Sequence, residues 1–146
     1  MNKSAFPLPA ASTLPVRFVI YLPSEPETSE ADPQKLEAAV VRILCERFGG
    51  VTAYPARGTF KLASGAVKTE AVTVLEAYCN RETWSQDSEG AGKLVRLIGR
   101  FLNQEAIGCS IDGKMILIDA AADAPSALLK SNPSTDLYAV LCGAFT

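Results

Sequence analysis

Apolar and polar positions follow two different periods along this chain, and the changes of period mark out its elements. Val16-Arg-Phe-Val-Ile-Tyr-Leu22 is β-branched and aromatic, which predicts a strand. Period two places Phe18, Ile20 and Leu22 on one face and Arg17, Val19 and Tyr21 on the other. Pro23 to Ala31 is acidic and rich in Pro, Ser and Glu, and reads as an exposed loop. Leu36, Val40, Ile43 and Leu44 then recur at helical spacing. Asp32 supplies a side chain that caps orphan N–H groups, Pro33 fits the first helical position, and Gly49-Gly50 stops the helix.

A second strand is expected from Val51 to about Leu62, interrupted by Pro55 and Gly58. A proline inside a strand belongs at an edge or a bulge, so this strand should lie at the edge and bend near Pro55. Ala63 to Thr69 forms a hairpin turn with Ser64-Gly65 at its tip, and Glu70 to Tyr78 is the third strand. Asn80 to Glu89 is polar and leads into a second helix, with Thr83-Trp-Ser-Gln86 as a capping box and Gly90 and Gly92 weakening its first turn. Leu94, Leu97, Ile98, Phe101 and Leu102 form its buried stripe. Glu105 to Asp119 reads as a further hairpin around a tight Asp112-Gly113 turn.

The order β-α-β-β-α-β with an added C-terminal strand or hairpin predicts an α+β, ferredoxin-like sandwich over residues 16–119. Strands one and three are then central, and strand two is an edge, in agreement with Pro55. Residues 1–15 read as a flexible arm, and 120–146 as an extension with an apolar end, Leu137 to Phe145. That end docks on the domain, adds a strand or buries itself in a partner.

Composition changes this picture mainly by exclusion. There is no histidine among the 146 residues. Ser-His-Asp and Cys-His catalysis are therefore ruled out, and so is the commonest transition-metal ligand. Cys45, Cys79, Cys109 and Cys142 are widely spaced with no CxxC pair, and read as buried, reduced thiols. No cofactor or metal is implied. A net charge of −2 gives no general attraction to nucleic acid or anionic membranes. No segment approaches a membrane span, and the cytoplasm is the expected compartment.

Both helices should cover one sheet face, leaving the other open. The open face is expected to carry Arg17, Val19 and Tyr21 from strand one, and Glu70, Val72, Val74, Glu76 and Tyr78 from strand three. Tyr54, and Arg57 beyond the bend, would come from strand two. A carboxylate in the middle of a central strand is costly unless solvated or paired, and Arg17 is the natural cross-strand partner of Glu76. The plain reading is a solvated ion pair. The functional one is a pocket lined by Arg17, Tyr21, Tyr54, Arg57, Glu76 and Tyr78 and closed by a second subunit, with Glu76 and Tyr21 as candidate catalytic groups.

Weaker signals point elsewhere. Tyr21 and Tyr78 stand roughly where an RNA-recognition module stacks bases, but the basic, glycine-rich strand of those modules is missing. Gly90-Ala-Gly92-Lys93 at a helix start would suit an anion without being a phosphate loop. Trp84 reads as a lid over the core.

Phe48-Gly-Gly-Val-Thr-Ala-Tyr-Pro-Ala-Arg-Gly-Thr-Phe60, then Gly65, Glu70 and Gln104-Glu-Ala-Ile107, resemble a pattern in small uncharacterised bacterial proteins. These are domains of unknown function. The resemblance implies a ferredoxin-like fold from about Arg17 to Ile118 and brings no catalytic residue with it. The chain departs in having Phe60 where tryptophan is expected, and in its C-terminal extension.

The first functional expectation is a non-enzymatic binding or regulatory protein, a homodimer acting through its open sheet face or C-terminal segment on a small hydrophobic ligand or a protein. The alternative is a small dimeric α/β-barrel enzyme, with Glu76 as general base and Tyr21 or Tyr54 as its partner. An inhibitor of a macromolecule is a second alternative.

Overall fold

The computed structural model describes residues 13–120 and 135–146. Most of the expected N-terminal arm and the first part of the extension lie outside these residues. Strand β1 (Val16–Pro23) leads into helix α1 (Pro33–Phe48). Asp32 caps α1 as its residue type dictates, with Oδ1 accepting from the backbone N–H of Gln34 at 2.9 Å and Lys35 at 3.5 Å. Gly49 ends the helix at φ 93°, a left-handed conformation that glycine adopts without strain.

Strands β2 (Thr52–Lys61) and β3 (Val67–Cys79) form a long hairpin turned at Gly65, φ 89°. The expected bend at Pro55 is not there. Pairing with β3 runs in unbroken register from Thr52 opposite Glu76 to Lys61 opposite Val67, with Pro55 opposite Thr73. At a sheet edge the missing N–H can face outward, so the ladder loses nothing.

Helix α2 (Arg81–Phe101) starts earlier than its apolar stripe suggests. Asn80 caps it, its side-chain oxygen accepting from Thr83 N–H at 2.8 Å. The expected capping box at Thr83–Gln86 therefore falls inside the helix. Gly90-Ala-Gly92-Lys93 lies mid-helix, where no free N–H groups remain to hold an anion.

Strands β4 (Ala106–Ile111) and β5 (Lys114–Asp119) close a hairpin in which Asp112 and Gly113 both take positive φ, 52° and 84°. The sheet order is β2-β3-β1-β4-β5, and every pairing is antiparallel. The first four strands give the ferredoxin-like order, and β5 is the added strand.

Helices α1 and α2 cover one face. Between them and the sheet lies a core of Phe18, Ile20, Leu22, Leu75 and Ala77 against Leu36, Val40, Ile43, Leu44, Leu94 and Ile98. Trp84 joins it beside Phe18 and Phe48, ring centroids 5.3 and 6.1 Å away. The chain ends in helix α3 (Leu137–Cys142) and a single 3-10 turn, Gly143–Phe145, which pack on the helix layer. Leu141 is fully buried there and Ala144 nearly so. Of the three placements open to the apolar end, this is docking on the domain, on the side away from the open face.

All four cysteines are free thiols. Cys79 and Cys109 are buried as expected, but Cys45 is exposed on α1 and Cys142 is half-buried. Cys45 lies between the core positions Leu44 and Phe48, off the buried stripe of its helix, and so turns outward.

Candidate functional site

Directly paired residues in an antiparallel sheet share a face, so the register lays out the open side row by row. One row reads Thr52, Glu76, Val19, Ser110, Met115 across the five strands. Along one end of it stand Arg17 and Tyr78, themselves a pair. The next row is Tyr54, Val74 and Tyr21, continued by Gly108 and Leu117. Ala56, Val72 and Pro23 follow.

The floor of this face is small and apolar. Val19, Val74 and Val72 are 0%, 5% and 7% exposed, although none belongs to the helix-side core. Short valines sink between taller neighbours on both sides. Around them Tyr54, Phe60, Tyr78, Met115 and Leu117 all remain exposed. These five large apolar side chains occur on one side of one sheet, which is more than scattered surface hydrophobes.

Of the residues expected here, the structure brings Arg17, Tyr21, Tyr54, Glu76 and Tyr78 together on the open face. Arg57 is not among them. It pairs with Ala71 in the alternate set, on the helix side of the hairpin. The expectation assumed a bend at Pro55 that would shift the register by one. Without the bend, period two sends Arg57 the other way.

The Arg17 guanidinium donates to Glu76 Oε2 at 2.6 Å, with side-chain exposures of 36% and 18%. That hydrogen bond is the main reason the Glu76 carboxyl is held below its ordinary range. Burial opposes the shift, and the hydroxyls of Tyr78 and Tyr54 add to it. A carboxylate so stabilised is a weak general base, because a base near neutrality needs its pKa raised. Arg17 is fixed at its backbone too, its N–H donating to Asp112 Oδ1 at 2.8 Å. The cluster is therefore a fixed polar end on an otherwise apolar surface. It can orient a ligand by hydrogen bonding, with hydroxyls from Tyr54 and Tyr78 at hand. Among the described residues, no group of three or more Cys, Asp or Glu side chains is arranged to hold a metal ion.

Phe60, Ser110, Met115 and Leu117 are among the contributors to this face that the sequence reading did not include. Lys114 to Asp119 is apolar at four successive positions, which conceals its alternation. Ile116 and Ile118 turn to the core while Met115 and Leu117 turn away from it. The signal was present in Gly108-Cys-Ser110, where a buried cysteine separates two small residues. A Cβ at Gly108 would come within 2.7 Å of Met115 Cε, so a larger residue there would push the flexible methionine end aside.

No protein-family profile matches the chain. No curated protein matches it either. Among solved structures it is similar to a phage SAM lyase in complex with S-methyl-5′-thioadenosine, at 15% identity and a TM-score of 0.48, over 75% of this chain and 91% of that one. It is also similar to CutA from Pyrococcus horikoshii, crystallised in 3 M guanidine hydrochloride, at 14% identity and TM-score 0.42, over 90% and 99% of the two chains. The periplasmic divalent cation tolerance protein CutA from Archaeoglobus fulgidus follows at 10% identity and TM-score 0.40, over 90% and 98%. These are likenesses of small α+β architecture. No helix among the described residues is long and apolar enough to cross a membrane.

Proposed function

We propose that this protein is a non-enzymatic binding protein whose open sheet face is covered by a second copy of the chain, enclosing a site for a small hydrophobic ligand. The observation that carries this is the concentration of Tyr54, Phe60, Tyr78, Met115 and Leu117 on the face that the helices leave bare. Five strands about 4.8 Å apart and about 20 Å long present a face of about 500 Å² in projection. With the projecting β2–β3 hairpin this approaches the roughly 800 Å² per partner of a stable interface.

The enclosed volume would have an apolar floor, Val19, Val72 and Val74, and one polar end, Arg17–Glu76 with Tyr54 and Tyr78. An apolar site with a few convergent polar groups is the usual design for a small ligand. The depressed Glu76 pKa favours binding over proton transfer as its use. A homodimer is the simplest assembly.

Native mass spectrometry of the purified protein, at several concentrations, tests this reading through subunit number and any co-purifying mass. A multimer carrying a small molecule is the expected result, and a bare monomer at every concentration overturns it. S-methyl-5′-thioadenosine, which one of the similar structures holds, is a convenient first compound to titrate. Binding that is lost in Arg17→Ala would place the ligand at the polar end.

A further inference from the structure

The β2–β3 hairpin overruns the helix layer. Every residue of β2 is exposed except half-buried Gly58, so neither face of that strand is packed. A two-stranded ribbon is marginal by itself in water. Yet its distal part carries Phe60, Leu62 and Val67 at 42%, 41% and 69% exposure. Loop tips are ordinarily polar, so an apolar tip on a projecting arm needs a surface to rest on.

Such a surface lies at the opposite edge of the same sheet. Met115 and Leu117, 56% and 70% exposed, stand on the open face of β5. Both reach back over Gly108, where a Cβ would meet Met115 Cε at 2.7 Å and Leu117 Cδ2 at 3.8 Å. They lie down across the backbone and form a low platform. Three strands separate β2 from β5, a distance of about 19 Å, so the arm cannot reach the platform of its own chain.

The charges around the two patches are opposite. Residues 57–70 hold Arg57, Lys61 and Lys68 against Glu70. Residues 105–119 hold Glu105, Asp112 and Asp119 against Lys114. Tip against tip would bring cations together, and platform against platform would bring carboxylates together. We propose that the β2–β3 arm of one copy lies across the Met115–Leu117 platform of a second copy, apolar against apolar, with the flanking charges setting its direction. This rests on self-association through the open face and specifies which part of the partner covers it. Ser110 on the neighbouring strand β4 and Tyr21 one strand further on β1 adjoin the polar end, so the incoming arm also forms a wall of the ligand site.

The test uses two variants of the full chain, Phe60→Ser with Leu62→Ser, which share the open side of the ribbon, for the tip and Leu117→Ser for the platform. All three positions are exposed, and circular dichroism checks that each variant is folded. In sedimentation velocity and native mass spectrometry, each variant alone should run as a monomer at concentrations where the native chain is multimeric. An equimolar mixture should recover a complex of at least two chains, because each mixed pair retains one intact tip and one intact platform. Lys61→Glu with Lys68→Glu should weaken association at least tenfold at low ionic strength. Variants that keep the native subunit number overturn the arm contact while self-association stands. A mixture that stays monomeric shows that like meets like, and also overturns it. A native chain that is monomeric throughout removes both this contact and the reading it rests on.

Discussion

The ring of Phe145 occupies the space that a side chain at position 90 would need. A Cβ built on Gly90 would lie 2.3 Å from Phe145 Cδ1 and 2.9 Å from Cγ. The glycine sits in the middle of α2, where it costs about 1 kcal/mol of helix propensity relative to alanine. It is there because the end of the chain lies on the helix at that point. The Arg47 guanidinium stands over the same ring, 4.6 Å from its centroid, and reaches Asp87 at 3.7 Å.

Gly90→Ala should therefore destabilise the native chain, despite alanine's better propensity, by driving the ring off the helix. In a Phe145→Ala background the same substitution should stabilise by about 1 kcal/mol. Urea unfolding of the four chains checks this, and a Gly90→Ala effect of equal sign in both backgrounds would refute the contact.

Leu141 is the anchor of α3, fully buried between the two long helices and the rest of the core. Leu141→Ala should cost about 2–5 kcal/mol, read from the midpoint of chemical denaturation. The loss should not depend on protein concentration, because the residue is buried inside its own domain and not at a contact between copies. A concentration-dependent loss would contradict that placement.

The Arg17–Glu76 pair makes stability depend on acid pH. The folded carboxyl titrates below its ordinary value of 4.5. Its contribution is therefore complete above that value and is lost as pH falls through the lower folded one. Glu46 acts in the same direction, lowered first by the Tyr138 hydroxyl and then by Arg42. Glu76→Gln should flatten part of the acid limb of a pH–stability curve and leave the limb above pH 6 parallel to that of the native chain.

Tyr138 produces the opposite dependence at high pH. Its hydroxyl donates to Glu46 Oε2 at 2.5 Å, and its ring lies 3.7 Å from the Arg42 guanidinium. Chiefly through that hydrogen bond, its pKa rises from 10.0 to about 12. The phenol's contribution is full below pH 10 and declines as pH approaches 12. Spectrophotometric titration near 295 nm should show one late tyrosinate, absent in Tyr138→Phe and moved back towards 10 in Glu46→Gln.

Local chemistry in the sequence identified the helix starts and stops that have a cap beside them, such as Asp32-Pro33 and Gly49, and the edge position of β2. The faces of β1 and β3 followed from their alternation. The N-terminal half of α2 stayed hidden because Arg81 to Glu89 is polar apart from Trp84, and its cap, Asn80, is one side chain. Gly90 reads as a helix breaker until Phe145, 55 positions away, supplies the reason for it. Arg57 was misplaced by assuming that a proline must bend its strand. Met115 and Leu117 were concealed by isoleucines of the same character facing the core. For Gly90 the deciding contact is distant in sequence, and periodicity cannot report it.

Pro55 has a consequence beyond the domain. A long, straight edge strand exposed on both faces is a ready template for another chain to add to, and repeated addition builds fibres. With the ladder to β3 intact, the absent N–H of Pro55 falls on the outer rim of β2, near the middle of the strand. A chain trying to extend the sheet there would find a gap in the donor row. The same strand that offers an apolar arm to a neighbour thus resists open-ended growth, which keeps a sticky surface compatible with a high concentration in solution.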